Sequence, residues 1–201
     1  MGRLSKMDPE NPKHVCIANS TLLVKILTYY SYCYYGKGKT FPRHYPGEAL
    51  EKVLLHREAY ERQLYAMASM AKEAIAIFKE AASTPGCDQE MAQRMHYECQ
   101  NYLCLSEDFI ALLQMYDMTQ QNDYPGVLEL ARERYAARLE TMTLLENTKE
   151  KWAREGAAMR DLSVLMQVFK DIINYLESAD DPQLNLLDIT PIMSEESWNI
   201  R

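Results

Sequence analysis

The spacing of apolar residues toward the C-terminal end of the chain predicts a helix that needs extensive cover from other helices. Its apolar residues recur at intervals of three and four, so they share one helix face: Leu162, Leu165, Met166, Phe169, Ile172, Ile173 and Leu176. Polar residues are expected on the opposite face: Asp161, Gln167, Lys170, Asp171, Asn174 and Glu177. A stripe this wide requires a partner surface larger than one neighbouring helix. We therefore expect the other segments to pack around a helical hairpin formed by residues 126–177.

Similar spacing predicts helices earlier in the chain, separated by turns that contain glycine and proline. Asp88 is a suitable N-cap for one of them, and Pro125 suits the first helical position of the next. Turns are predicted at residues 83–86 and 122–126. The predicted helices cover about residues 15–35, 48–82, 88–120, 127–155 and 159–177. Residues 19–21 could instead break the first helix and start it later.

Long helices joined by short turns predict an all-α fold, an up-and-down antiparallel bundle of about five helices. No segment has the alternating pattern of a β-strand. Helices near 30 residues are too long for tetratricopeptide or ankyrin repeats. We expect an irregular arm at residues 1–14, the bundle at residues 15–177 and an extended tail at residues 178–201.

Composition excludes several functional classes. The net charge of −7 and the lack of a dense lysine and arginine block argue against nucleic-acid binding. No apolar run approaches the roughly 20 residues of a membrane span, and the N-terminal residues do not resemble a signal peptide. The cysteine count of five is odd and no pair has C-x-x-C spacing, which favours buried free thiols over disulfides or zinc ligands. We expect a cytoplasmic protein without a membrane or nucleic-acid partner.

No known catalytic motif is present, so no catalytic residue, metal ligand or cofactor is predicted. Gly38-Lys39-Thr40 resembles the end of a phosphate-binding loop, but Cys33 stands where that loop needs a glycine. Glu-x-x-His pairs of di-iron bundles, a nucleophile elbow and a dinucleotide-binding glycine loop are also missing. Whether the protein is an enzyme is left open.

A cluster of aromatic and basic residues is the main candidate for a ligand or interface surface. It comprises Tyr29, Tyr30, Tyr32, Tyr34, Tyr35, Arg43, His44 and Tyr45. The tyrosines surround a predicted helix, so they cannot all face one core. They could pack within the chain, contact another domain or another copy of the chain, or stack on a small ligand such as a sugar.

Charged residues interrupt the stripes of residues expected to be buried. In residues 88–120 that stripe comprises Met91, Met95, Glu98, Tyr102, Leu105, Phe109, Leu112 and Tyr116. Arg57 and Glu61 occupy stripe positions four residues apart, so they can pair within one helix. Arg138 and Glu146 interrupt the fourth predicted helix. We interpret these residues as semi-buried ion pairs that fix helix register, with a catalytic or metal site inside the bundle as the alternative.

One part of the chain resembles a known family. The resemblance is carried by Arg134-Tyr135-Ala136-Ala137-Arg138-Leu139, by Leu145-Glu146-Asn147 and by Trp152. These residues look like the helical region that follows the barrel in family 20-type hexosaminidases, a family of glycoside hydrolases. The family's catalytic acidic pair lies on the barrel, which this chain lacks. The resemblance therefore implies a non-catalytic accessory module of a carbohydrate-active enzyme, and the alternative is a self-contained, oligomeric helical interaction or regulatory protein.

Overall fold

The computed structural model describes residues 54–146 and 157–187, with side chains described for residues 54–143 and 165–187. Its helices are α1 (Arg57–Ala81), α2 (Gln89–Gln120), α3 (Tyr124–Glu146) and α4 (Ala157–Ser178). The described residues contain no strand, which confirms the predicted all-α class. The helix predicted at residues 15–35 lies outside them. Leu54 and Leu55 are helical, but a turn at His56 interrupts the longer helix predicted from residue 48.

Local side-chain and backbone contacts define the two ends of α2. Asp88 is its N-cap, as predicted, because the Asp88 side chain accepts a hydrogen bond of 3.0 Å from the Met91 N–H. At the other end Asn122 has a left-handed φ of 57°. Its N–H bonds to Thr119 O at 3.2 Å, and the Asp123 N–H bonds to Met118 O at 2.9 Å. This pattern is a Schellman motif, which satisfies the last carbonyl groups of the helix.

The turn between α2 and α3 is shorter than predicted. Helix α3 begins at Tyr124, although the turn was expected to extend through Gly126. The reason is a second cap: Asp123 Oδ1 accepts from the Gly126 N–H at 3.1 Å. A Cβ built on Gly126 would lie 2.9 Å from Cγ of Asp123, so this close cap requires glycine.

Helices α2, α3 and α4 are neighbours with alternating direction. Cys104 and Asp108 of α2 contact Thr141 and Arg138 of α3, respectively, so residue numbers rise along one helix as they fall along the other. Arg132 of α3 pairs with Glu177 of α4 at 2.6 Å. If α3 and α4 were parallel, this pair would leave residues 146 and 157 about 50 Å apart, whereas eleven residues span at most about 40 Å. Helices α3 and α4 are therefore antiparallel.

The core of the unit Leu64–Pro182 includes three of the seven residues of the stripe predicted for α4. Leu165, Phe169 and Ile172 are fully buried, which confirms that part of the prediction. The expectation for Asp171 was wrong, because this residue is fully buried instead of lying on a polar face. Val168 is buried as well, so the covered arc of α4 is wider than its apolar stripe. The Asp171 carboxylate accepts a hydrogen bond of 2.9 Å from Gln167 Nε2, which lowers the cost of its burial.

The stripe predicted for α2 was wrong at its N-terminal half. Met91 and Tyr102 are 52% and 54% exposed. Leu105, Phe109 and Leu112 are buried as predicted. The buried line through this part of α2 also includes polar residues, in steps of three and four: Asn101, Leu105, Asp108, Leu112, Met115 and Thr119. Because this line includes a carboxylate and an amide, a search for apolar residues alone could not find it.

Candidate functional site: a buried arginine and aspartate cluster

Three charged side chains meet inside the α2–α3 pair, and we call Asp108, Arg134 and Arg138 the buried cluster. Arg134 Nε donates to Asp108 Oδ1 at 2.7 Å. Arg138 Nε donates to Asp108 Oδ2, and Arg138 Nη2 forms an ion pair with the same oxygen. The side chains of Asp108 and Arg138 are 0% exposed, and that of Arg134 is 8% exposed. Both oxygens of the carboxylate are thus held by guanidinium groups.

Helix periodicity explains how the cluster assembles. Arg134 and Arg138 are one turn apart on α3 and therefore share a face. Asp108 lies on the buried line of α2, between Leu105 and Leu112. The antiparallel arrangement of α2 and α3 brings the single carboxylate level with both arginines. The short capped turn between the two helices helps to fix this register.

A chain of ion pairs extends from the cluster toward solvent. Glu107, which is 31% exposed, accepts from Arg134 Nη1 at 3.2 Å. The other Glu107 oxygen, Oε1, lies 3.3 Å from Nζ of Lys72, a side chain of α1 that is 63% exposed. The network therefore joins three helices and passes from a dry interior to the surface.

Burial and charge act in opposite directions on the ionisable groups of the cluster. Burial raises the pKa of the Asp108 carboxyl, while Arg138 and Arg134 favour its ionised form. Burial alone would lower the pKa of Arg134, but the Asp108 and Glu107 carboxylates outweigh it and the net direction is upward. Arg134 is therefore a permanent cation in the interior.

Cys104 lies beside the cluster and is unsuited to nucleophilic chemistry. Its Sγ is 3.2 Å from Thr141 Oγ1. Burial raises the pKa of the Cys104 thiol, so the reactive thiolate is disfavoured. A thiol of this kind packs as a small apolar group.

The chemistry open to the buried cluster is structural. Both oxygens of Asp108 accept from guanidinium groups in a fully buried position, and arginine does not give up its proton. Asp108 and Arg138 expose no surface to a reacting molecule. The arrangement instead specifies one register of the two helices, because any shift would leave buried charges unpaired.

The structure describes only some of the candidate residues taken from the sequence. Arg57 Nε lies 2.8 Å from Glu61 Oε1, with side chains 29% and 31% exposed. Arg138 was expected in a semi-buried ion pair, but it is fully buried, and both its partner Asp108 and the second arginine of the cluster were missed. Asp108 could have been found as a charge three residues from Leu105 and four from Leu112, and Arg134 as a second arginine one turn before Arg138. The aromatic and basic cluster lies outside the described residues: Tyr29, Tyr30, Tyr32, Tyr34, Tyr35, Arg43, His44 and Tyr45.

The described cysteines are free, and their burial differs from the expectation. Cys87, in the turn between α1 and α2, is exposed and not buried, while Cys99 and Cys104 are partly exposed. Within residues 54–146 and 157–187, no group of side chains has the composition of a metal site. In the same ranges no helix is long and apolar enough to span a bilayer.

Two surface features lie apart from the buried cluster. The outer side of α1 exposes three large apolar side chains, Tyr65, Met70 and Ile77, at 55%, 59% and 63%. A second feature is an open depression of about 540 Å³ at the α2–α3 turn. Its lining includes four carboxylates and no basic side chain: Asp117, Asp123, Glu129 and Glu133. The negative charge of these carboxylates repels anionic ligands.

No protein-family model, curated protein or solved structure matches this chain. The likeness of residues 134–139 to a hexosaminidase helical region therefore stays a prediction. Two of the residues that carry the likeness, Arg134 and Arg138, belong to the buried cluster, which gives them a role that any helical bundle could use.

Proposed function

We propose that this chain is a non-catalytic helical binding protein whose contact surface includes the outer side of α1. The observation that carries the proposal is the exposure of Tyr65, Met70 and Ile77 on that one helix. Met70 and Ile77 lie about two helical turns apart on one side of α1, and soluble proteins seldom leave neighbouring large apolar groups in water unless another surface covers them. Tyrosine and methionine are also enriched at protein contacts.

The arrangement along α1 suits a helix as the covering element. The middle of the outer side carries small exposed residues and one exposed carboxylate: Ala66, Ser69, Glu73 and Ala76. By the 3.6-residue period, Tyr65 lies on one flank of this line, and Met70 and Ile77, seven apart, lie on the other. Small central residues allow a second backbone to approach closely, and larger flanking groups can pack around it. Glu73 would favour a basic residue on the covering helix.

The whole chain, in this proposal, is an up-and-down bundle of about five helices. The alternating directions of α2, α3 and α4 support this arrangement, and the apolar spacing of residues 15–35 supplies the further helix. The proposal places the protein in the cytoplasm, where an exposed thiol such as Cys87 stays reduced.

A second candidate is the accessory module of a carbohydrate-active enzyme that the sequence resemblance implies. The observation that favours it is the exposed ring of Tyr102 on α2, which is 54% accessible and could stack on a sugar. The partner of α1 would then be the barrel domain of a glycoside hydrolase. The same experiment tests both candidates.

A photo-reactive amino acid placed at position 70 or 77 tests the proposal in the native host cell. We expect covalent adducts from these positions and none from a control at Gln120, which is also exposed but belongs to α2. Mass spectrometry of the adducts separates a glycoside hydrolase from other proteins. Equal labelling from all three positions, or no adduct from any, would overturn the proposal.

A further inference from the structure

The buried cluster contains hydrogen-bond donors that no acceptor among the described residues satisfies. Arg138 Nη1 and Arg134 Nη2 are buried and have no hydrogen-bond partner among the described residues. Buried polar groups in folded proteins are nearly always paired, and a charged donor left without an acceptor costs more than a neutral one. Both guanidinium groups are tied to the same carboxylate, so these donors belong to one small region of the interior.

The charge count of the network points to the kind of group that would complete it. Its cations are Lys72, Arg134 and Arg138, and its carboxylates are Glu107 and Asp108. Three positive charges against two negative charges leave an excess of one. Lys72 is 63% exposed, so its charge is hydrated. In the interior, Arg138 must share Asp108 with Arg134, while Glu107, the other carboxylate, is part-exposed and pairs with Arg134.

An anion fits these donors better than a water molecule does. A buried water also needs acceptors for its own hydrogens. Both Asp108 oxygens already accept from guanidinium groups, so each has at most one acceptor site left. The buried acceptors without partners on α2, Gln100 Oε1 and Asn101 Oδ1, are two helical turns from Asp108, about 11 Å along the axis. Asp171, the other fully buried carboxylate, accepts from Gln167 on its own helix.

We propose that the α2–α3 interface holds one small monovalent anion of the halide class, bound by Arg138 Nη1 with Arg134 Nη2 as the second donor. The anion would supply an acceptor that Arg138 does not have to share, without bringing hydrogens of its own. It binds only when α2 and α3 are packed together, so it stabilises the folded state by mass action. This site is independent of the α1 surface.

Thermal unfolding of the full chain tests the site. Sodium chloride is compared with sodium gluconate at equal sodium concentration, because gluconate is monovalent but too large for the interior. We expect chloride to raise the Tm by about 3–5 °C at ten times its Kd, and the Tm to keep rising with the logarithm of the chloride concentration above that. Arg138→Met, which keeps the length of the side chain and removes the donors, should abolish the difference between the two salts. Arg132→Met is the matched control, because Arg132 is an exposed arginine of the same helix, and it should keep the full response.

Bromide supplies a second measurement that needs no variant. Anomalous diffraction from crystals of the parent chain grown in bromide should show a peak in contact with Arg138. Bromide found only on surface lysines would overturn the proposal. An equal chloride response in the parent chain and Arg138→Met, or no difference between chloride and gluconate in the parent, would overturn it as well.

Discussion

The α2–α3 interface and the outer side of α1 differ in opposite ways from the usual distribution of side chains. The interface encloses two arginines and an aspartate, whereas α1 leaves Tyr65, Met70 and Ile77 in water. In the interface, the charges find each other across two helices, and their burial specifies one alignment. On α1, the apolar groups have no partner in the described unit, which predicts one outside it. The buried charges and the exposed apolar side chains both depart from the usual distribution, and they are therefore the most informative residues of this molecule.

The two regions should also respond differently to mutation. Removing one member of a buried ion pair strands the remaining charge, so the cost falls on folding. Removing an exposed apolar group changes little in the folded unit, so its effect falls on association. Stability and binding measurements can therefore test the comparison separately.

Asp108→Leu should have the largest effect, because it leaves two buried arginines without their shared acceptor. We expect a loss of about 3–5 kcal/mol in the free energy of unfolding, measured by urea denaturation. Glu107→Leu is the matched control on the next residue, and its loss should be much smaller because Glu107 is 31% exposed. Equal losses in the two variants would show that burial of the cluster does not control stability.

Replacing the whole cluster should cost less than breaking it. In the triple variant Asp108→Leu, Arg134→Met and Arg138→Met, no stranded charge remains and the volume is roughly kept. We expect its unfolding free energy to lie within about 2 kcal/mol of the parent value, above that of Asp108→Leu alone. A triple variant as unstable as the single one would show that the arginines are required for a reason other than pairing with Asp108.

Gly126→Ala tests how far the turn, as opposed to the cluster, sets the α2–α3 register. The new Cβ would collide with the Asp123 carboxylate and disrupt the cap. We expect a loss of about 1 kcal/mol in unfolding free energy, similar to that of Asp123→Ala, which removes the cap directly. The double variant Gly126→Ala with Asp123→Ala should lose no more unfolding free energy than either single variant if both substitutions act through this cap.

Met70→Ser with Ile77→Ser should have the smallest effect on stability. Both side chains are more than half exposed, so we expect a change within about 0.5 kcal/mol in chemical denaturation. The adducts that a photo-reactive residue at position 65 forms should disappear in this double variant. A large loss of stability would show that these side chains belong to a core. The difference between α1 and the α2–α3 interface in their response to mutation would then disappear.

Part of the architecture could be predicted from the sequence because local chemistry determines it. Asp88 was recognisable as an N-cap, and the regular apolar spacing of α4 identified its buried face. The turn at Asn122 was predicted to be longer than it is. The caps at the end of α2 and the start of α3 depend on backbone geometry that no residue pattern displays. Asp108 and Asp171 were missed for a different reason. Their burial depends on partners, and for Asp108 the partners are 26 and 30 residues away in the chain.

The tight link between α2 and α3 also has a consequence for how the chain reaches its native state. Residues 121–123 join the helices, so contacts between them close short loops and have low entropic cost. Topologies dominated by such local contacts fold quickly. We expect the α2–α3 hairpin to form early, so that Asp108 meets its arginines before distant segments arrive. The charges least able to tolerate a dry interior would then already be paired when the interior closes.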